Sequence, residues 1–197
     1  RSFFDIILIN EQPPSVITFP KWTYGLLFSP PSAQALDANG GLARGGLLFK
    51  NSQGITHLLI YGQNMNPYLL LYSETGEFVD PLSLPGPEDC THALKISPEA
   101  AEITEIAFLS KGATFIASDL DDFASQRGFF GGPDATSMAK IDFNEDGALD
   151  LALVSPFTNS VYLLSSKGDG SYKAPPVLGV PPRGVSGAGV EDLNGDG

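Results

Sequence analysis

Apolar positions along this chain gather into short runs separated by proline, glycine and polar clusters, a pattern that predicts many strands and few helices. Phe3-Phe4-Asp5-Ile6-Ile7-Leu8-Ile9 reads as a buried strand that ends at Asn10. Pro13, Pro14, Pro20, Pro30 and Pro31 then interrupt the chain, so residues 10–41 read mostly as connection, with residues 22–28 as a single strand candidate. A second apolar pattern begins at Gly45, and Leu58-Leu59-Ile60-Tyr61 and Tyr68-Leu69-Leu70-Leu71-Tyr72 predict strands within it. Residues 92–96, 103–109 and 113–117 are three more candidates, parted by Pro98 and by Lys111-Gly112; residues 98–102 suit one helical turn equally well. Near the end, Ala148-Leu149-Asp150-Leu151-Ala152-Leu153-Val154 and Val161-Tyr162-Leu163-Leu164 flank the turn Ser155-Pro156-Phe157-Thr158-Asn159, which predicts a hairpin.

The stretch leading into that hairpin carries candidate chemistry. Oxygen-bearing side chains stand at Asp142, Asn144, Asp146 and Asp150, and Gly147 permits the bend that folds them inward. Calcium takes six to eight oxygens at roughly 2.3–2.6 Å, and alternate residues of a tight loop aim that many at one point. Three carboxylates, one amide oxygen, the backbone carbonyl of Ala148 and water form such a set. Magnesium suits it less, because it holds to a stricter octahedron and keeps its waters. An EF-hand starting at Asp142 requires a glutamate at position 153, where this chain has Leu153, and helices on both sides. The loop is therefore expected to close at Asp150 and to join two strands.

The core of the motif recurs at Asp192-Leu193-Asn194-Gly195-Asp196-Gly197, 50 positions on (192 − 142), a spacing of the size of one propeller blade. Gly168-Asp169-Gly170-Ser171-Tyr172 lies between them as a turn opening into an aromatic. The segment from Asp142 to Val154, the strand Val161-Tyr162-Leu163-Leu164, that turn, and Val190-Glu191-Asp192 onward together resemble the VCBS/FG-GAP repeat. The resemblance covers residues 139–197. It implies a β-propeller of four-stranded blades whose Asp-rich loops link neighbouring strands and hold calcium, as in integrin α-subunits and many secreted bacterial proteins. Phe129-Phe130-Gly131-Gly132-Pro133 echoes the Phe-Gly and Gly-Ala-Pro elements of the family and reads as packing.

Asn51-Ser52-Gln53-Gly54-Ile55-Thr56-His57-Leu58 aligns with the calcium segment at an offset of 93 (144 − 51), with Phe49, Gln53 and His57 at the first, third and last ligand positions. This reads as a blade without its ion, and His57 as no ligand. Asp119, Asp121 and Asp122 lack the glycine and read as a solvated acidic loop. The expected division is residues 1–44 as an N-terminal strand and Pro-rich connection, 45–90 and 91–133 as blades without metal, 134–183 as the calcium blade, and 184–197 as the start of a further blade. Asp192, Asn194 and Asp196 form a second, partial metal loop. That blade breaks off inside its loop, which implies either a longer chain or completion by another chain.

Composition narrows the function. Glycine and proline make up 38 of 197 residues, which suits an all-β protein rich in turns. The net charge of −12, with 11 Lys and Arg against 23 Asp and Glu, argues against nucleic acid and fits cation binding. No run approaches the roughly 18 apolar residues of a membrane span. The single Cys90 forms no internal disulfide and leaves the redox compartment open; calcium favours an extracellular, cell-surface or periplasmic setting. There is no Gly-x-Ser-x-Gly elbow, phosphate loop or zinc spacing, and His57 and His92 are the only histidines, so no enzyme is expected. The expectation is an all-β, incomplete propeller that binds calcium and serves as a scaffold for protein or glycan interaction, as in adhesion. Two alternatives stand beside it: an assembly subunit completed by copies of itself, and the ancillary propeller of a secreted carbohydrate-active enzyme.

Overall fold

The structure, a computed structural model, describes residues 6–11, 14–19, 32–36, 40–51, 53–74, 77–97, 104–110, 113–118, 127–130, 134–169, 171–173 and 177–179. Among them the chain is all strand, without a helix. In order these are β1 (Ile6–Asn10), β2 (Ser15–Phe19), β3 (Ser32–Ala35), β4 (Leu42–Lys50), β5 (Thr56–Gln63), β6 (Tyr68–Tyr72), β7 (Phe78–Ser83) and β8 (Cys90–Lys95). They continue as β9 (Glu105–Ser110), β10 (Ala113–Ser118), β11 (Arg127–Phe130), β12 (Ser137–Ile141), β13 (Asp150–Ser155), β14 (Ser160–Leu164) and β15 (Val177–Gly179). Within each sheet the strand order follows the sequence: β1-β2-β3, β4-β5-β6-β7, β8-β9-β10-β11 and β12-β13-β14-β15 are four antiparallel meanders. None closes on itself. No helix of the described residues is long and apolar enough to cross a membrane.

The chain divides into two compact units. One comprises residues 1–90 and 99–102, the other residues 91–98 and 103–197. In the first, Leu58 and Ile60 of β5 lie two residues apart and so share a face, where they meet Val16, Leu36, Leu70 and Phe78, with Ile9 and Tyr72 packed around them. In the second, Leu151 and Leu153 of β13 face Ala107 and Leu109, with Met138, Tyr162 and Leu164 beside them. Register explains the grouping: Leu151 pairs with Leu164, and Leu153 lies between Met138 and Tyr162, so the cluster is a row of cross-strand neighbours.

The strands at the second position of their four-stranded sheets are the apolar ones. In β9 Ile106, Ala107, Phe108 and Leu109 are fully buried, and in β13 Leu151, Leu153 and Val154 are. Such near-continuous apolar runs belong to strands covered on both faces. The hairpin read from residues 148–164 is present as β13 and β14, turning through Pro156–Asn159 with Asn159 at φ 49°. Residues 10–41 differ from expectation, because they hold β2 and β3. Prolines bracket Ser15–Phe19 without entering it, and the β-branched Val16, Ile17 and Thr18 suffice for a strand that pairs on both sides. The candidate strand at 22–28, the helical turn at 98–102 and the aspartates at 119, 121 and 122 lie outside the described residues.

Cys90 is buried at the start of β8, where its thiol donates to the carbonyl of Pro87 at 3.0 Å. Burial, and then the carboxylate of Asp89, push its pKa up to about 12. The folded chain is therefore expected to be inert to an aromatic disulfide reagent at pH 8 and to react only when denatured; rapid reaction in the native state contradicts that placement. Gly62 pairs with Ala43 at the bulge of β4, and a Cβ there would overlap the carbonyl oxygen of Leu42. Gly62→Ala is expected to lower stability by about 2 kcal/mol in a urea titration, and an unchanged midpoint would refute that contact.

Candidate metal centre

The loop 142–149 leaves β12 at Ile141 and re-enters the sheet at Asp150, its cross-strand partner. Two turns of positive φ, at Glu145 (56°) and Gly147 (82°), close it. Gly147 is suited to this conformation because a side chain at such a φ strains against its own backbone. Hydrogen bonds within the loop run from backbone N–H groups to side-chain oxygens. Asp142 accepts from Asp146 N–H at 3.1 Å through Oδ1 and from Gly147 N–H at 2.8 Å through Oδ2. Asn144 Oδ1 shares the Asp146 N–H at 3.2 Å, while its Nδ2 donates to Asp146 Oδ2 at 2.7 Å. Asp146 Oδ1 accepts from Ala148 N–H at 2.8 Å.

Asp150 differs from the other three. Its side chain has 0 % exposure, whereas Asn144 and Asp146 are exposed. Oδ2 accepts from Phe143 N–H at 3.2 Å, back across the loop, and Oδ1 accepts from Ser166 N–H at 2.7 Å, sixteen residues on. A buried carboxylate is tolerable only with donors of this kind. Among the described residues, none of Asp142, Asp146 and Asp150 forms an ion pair with a Lys or Arg; the Arg44–Glu11 pair belongs to the first unit.

The four side chains predicted as ligands thus lie in one loop, with the backbone of Ala148 among them. As the chain stands, no group of three or more His, Cys, Asp or Glu among the described residues converges into a ready cation site. The oxygens are turned onto the loop's own N–H groups instead. The donor chemistry fits a hard divalent cation all the same, since a carboxylate has about four lone-pair sites and each N–H occupies only one. Asp142, Asn144, Asp146 and Asp150 are the residues that would hold it. Asp192, Asn194 and Asp196 lie outside the described residues.

A pocket of about 320 Å³ adjoins the loop, lined by the stretch Asp146 to Leu149, by Glu105 and by Tyr172. Burial, then Glu105 and Asp150, raise the Tyr172 phenol to about 12. Spacing gave no sign of Glu105 or of the Ser166 N–H, because both reach the loop from other hairpins.

Residues 49–57 show the same hairpin without acids. Asn51 Oδ1 accepts from Gln53 and Ile55 N–H at 3.0 and 2.9 Å, and His57 Nδ1 lies 3.1 Å from the Ile55 carbonyl. The rings of Phe49 and His57 stack at 5.6 Å and 13°. Register corrects the sequence alignment here. Phe49 pairs with His57 as Ile141 pairs with Asp150, so Lys50, and not Phe49, occupies the place of Asp142. The turn is one residue shorter, which a constant offset cannot show. Burial lowers the pKa of the other histidine, His92.

With this geometry in view, residues 142–197 match the FG-GAP-like repeat. That match covers 56 of the 197 residues and agrees with the resemblance read from the motifs. No curated protein matches the chain.

Asp150→Ala would strand two inward-facing N–H groups. In the presence of a chelator it is expected to destabilise the chain by about 3 kcal/mol in chemical denaturation, whereas a loss under about 0.5 kcal/mol would show that neither hydrogen bond matters.

Proposed function

We propose that the chain is a non-enzymatic, calcium-stabilised scaffold of β-propeller blades that presents its loops to a protein or glycan partner outside the cytosol. The observation that carries this reading is the buried Asp150 at the end of an acidic loop that has no cationic side chain paired with it among the described residues. The FG-GAP-like repeat at 142–197 supports the propeller, and so do three successive four-stranded meanders. Calcium on this account braces the β12–β13 turn: it draws the oxygens of Asp142, Asn144, Asp146 and Asp150 to one point and relieves the repulsion among three carboxylates. Extracellular calcium is abundant enough to keep such a site filled, which is the basis for placing the protein at the cell surface, in the periplasm or in the medium. The net charge of −12 supports a role among cations and keeps the scaffold soluble.

Thermal melting in calcium and in chelator tests the reading. Millimolar calcium is expected to raise the melting temperature by about 5 °C or more, and Asp146→Ala, which removes an exposed carboxylate, to abolish the rise. Identical melting of the unsubstituted chain in both conditions would refute it.

A further inference from the structure

We propose that the turn after β14 is a positioning element for the cation loop: through Ser166, Asp169 and Ser171 it fixes the direction of the Asp150 carboxylate. The proposal rests on the reading of residues 142–150 as a cation site. Ser166 and Tyr172 are bridged antiparallel, flanked by Lys167 N–H to Ser171 O at 2.9 Å and Lys173 N–H to Ser165 O at 2.8 Å. Because those two bonds flank the pair, the N–H of Ser166 itself points out of the hairpin neck. That outward N–H is the one that meets Asp150 Oδ1 at 2.7 Å.

Local bonds keep the neck in shape. Asp169 Oδ1 accepts from the N–H of Ser171 at 2.9 Å and from its hydroxyl at 2.5 Å, and Ser166 Oγ accepts from Gly168 N–H at 3.1 Å. The Ser171 hydroxyl, and then its N–H, hold the Asp169 carboxyl below the usual carboxylate range. Tyr172 reaches back to the Leu149 carbonyl at 3.5 Å.

The consequence for the cation is specific. With Oδ1 committed to Ser166, outside the loop, Oδ2 is the oxygen of Asp150 that remains turned toward Phe143 and the loop. Asp150 is thereby set up to offer one oxygen. A ligand already oriented by outer hydrogen bonds loses less freedom on binding. Asp169 touches none of these oxygens and acts only through Ser171 and the neck.

Ser166→Pro would delete the donor but break the neck, so Asp169 provides the test. Asp169→Asn and Asp169→Ala remove the same charge, yet only asparagine keeps an acceptor for Ser171. Calcium titration calorimetry on the full chain is paired with the Ser166 amide resonance. The asparagine variant is expected to bind within about twofold of the unsubstituted chain. The alanine variant is expected to bind on the order of fivefold more weakly, with the Ser166 resonance displaced. Equal weakening in both variants would reduce the effect to charge and overturn the proposal, as would no weakening in either. If the unsubstituted chain takes up no calcium, the cation reading itself falls and this proposal with it. If that chain binds calcium and the two variants match, only the positioning role falls.

Discussion

The Asp150 carboxylate, buried at the first residue of β13, is the constraint on which the β12–β14 region of the second unit depends. A carboxylate removed from water loses several kcal/mol of hydration unless donors replace it, and here two backbone N–H groups do so. One belongs to Phe143 at the far side of the acidic loop and the other to Ser166 at the exit of β14. A single side chain therefore ties the turn that enters β13 to the turn that leaves its partner strand. The apolar row of Leu151, Leu153, Tyr162 and Leu164 follows in register from that anchor. N–H groups replace hydration but leave the negative charge uncancelled. On the proposed reading, a cation would complete the site by cancelling that charge.

The hairpin of β4 and β5 shows what the same turn does when the acids are absent. Asn51 caps its own loop with two N–H groups, and Phe49 and His57 close the base by stacking. Apolar and local polar contacts suffice there because no charge is buried. At 142–150 the loop is longer and its oxygens outnumber what its N–H groups need. The two turns differ in that surplus of oxygens, which is what the proposed cation site would use.

The acidic loop and the hairpin after it were legible in the sequence, because the spacing of oxygen-bearing side chains and the apolar run are properties of adjacent residues. Tyr68–Tyr72 and the apolar stretch of β9 were legible for the same reason. What escaped was set by pairing across the chain. β2 and β3 are short and stand amid prolines, and only their partners make them strands. The one-residue slip between Phe49 and Ile141 depends on cross-strand register, which no linear offset contains. The bond from Ser166 to Asp150 was hidden because its donor is a backbone group, the same in every residue but proline. The Gly-Asp-Gly-Ser-Tyr turn stood out as a motif, and the role proposed for it rests on the bridge between Ser166 and Tyr172.

A calcium titration followed by amide resonances tests the central claim most directly. The account predicts that the amides of Phe143, Asp146, Gly147, Ala148 and Ser166 shift together and saturate at one equivalent in the low-millimolar range or below, about the affinity of extracellular calcium modules. No shift at these amides at tens of millimolar calcium would contradict it, and the acidic loop would then be a turn held by its own hydrogen bonds alone.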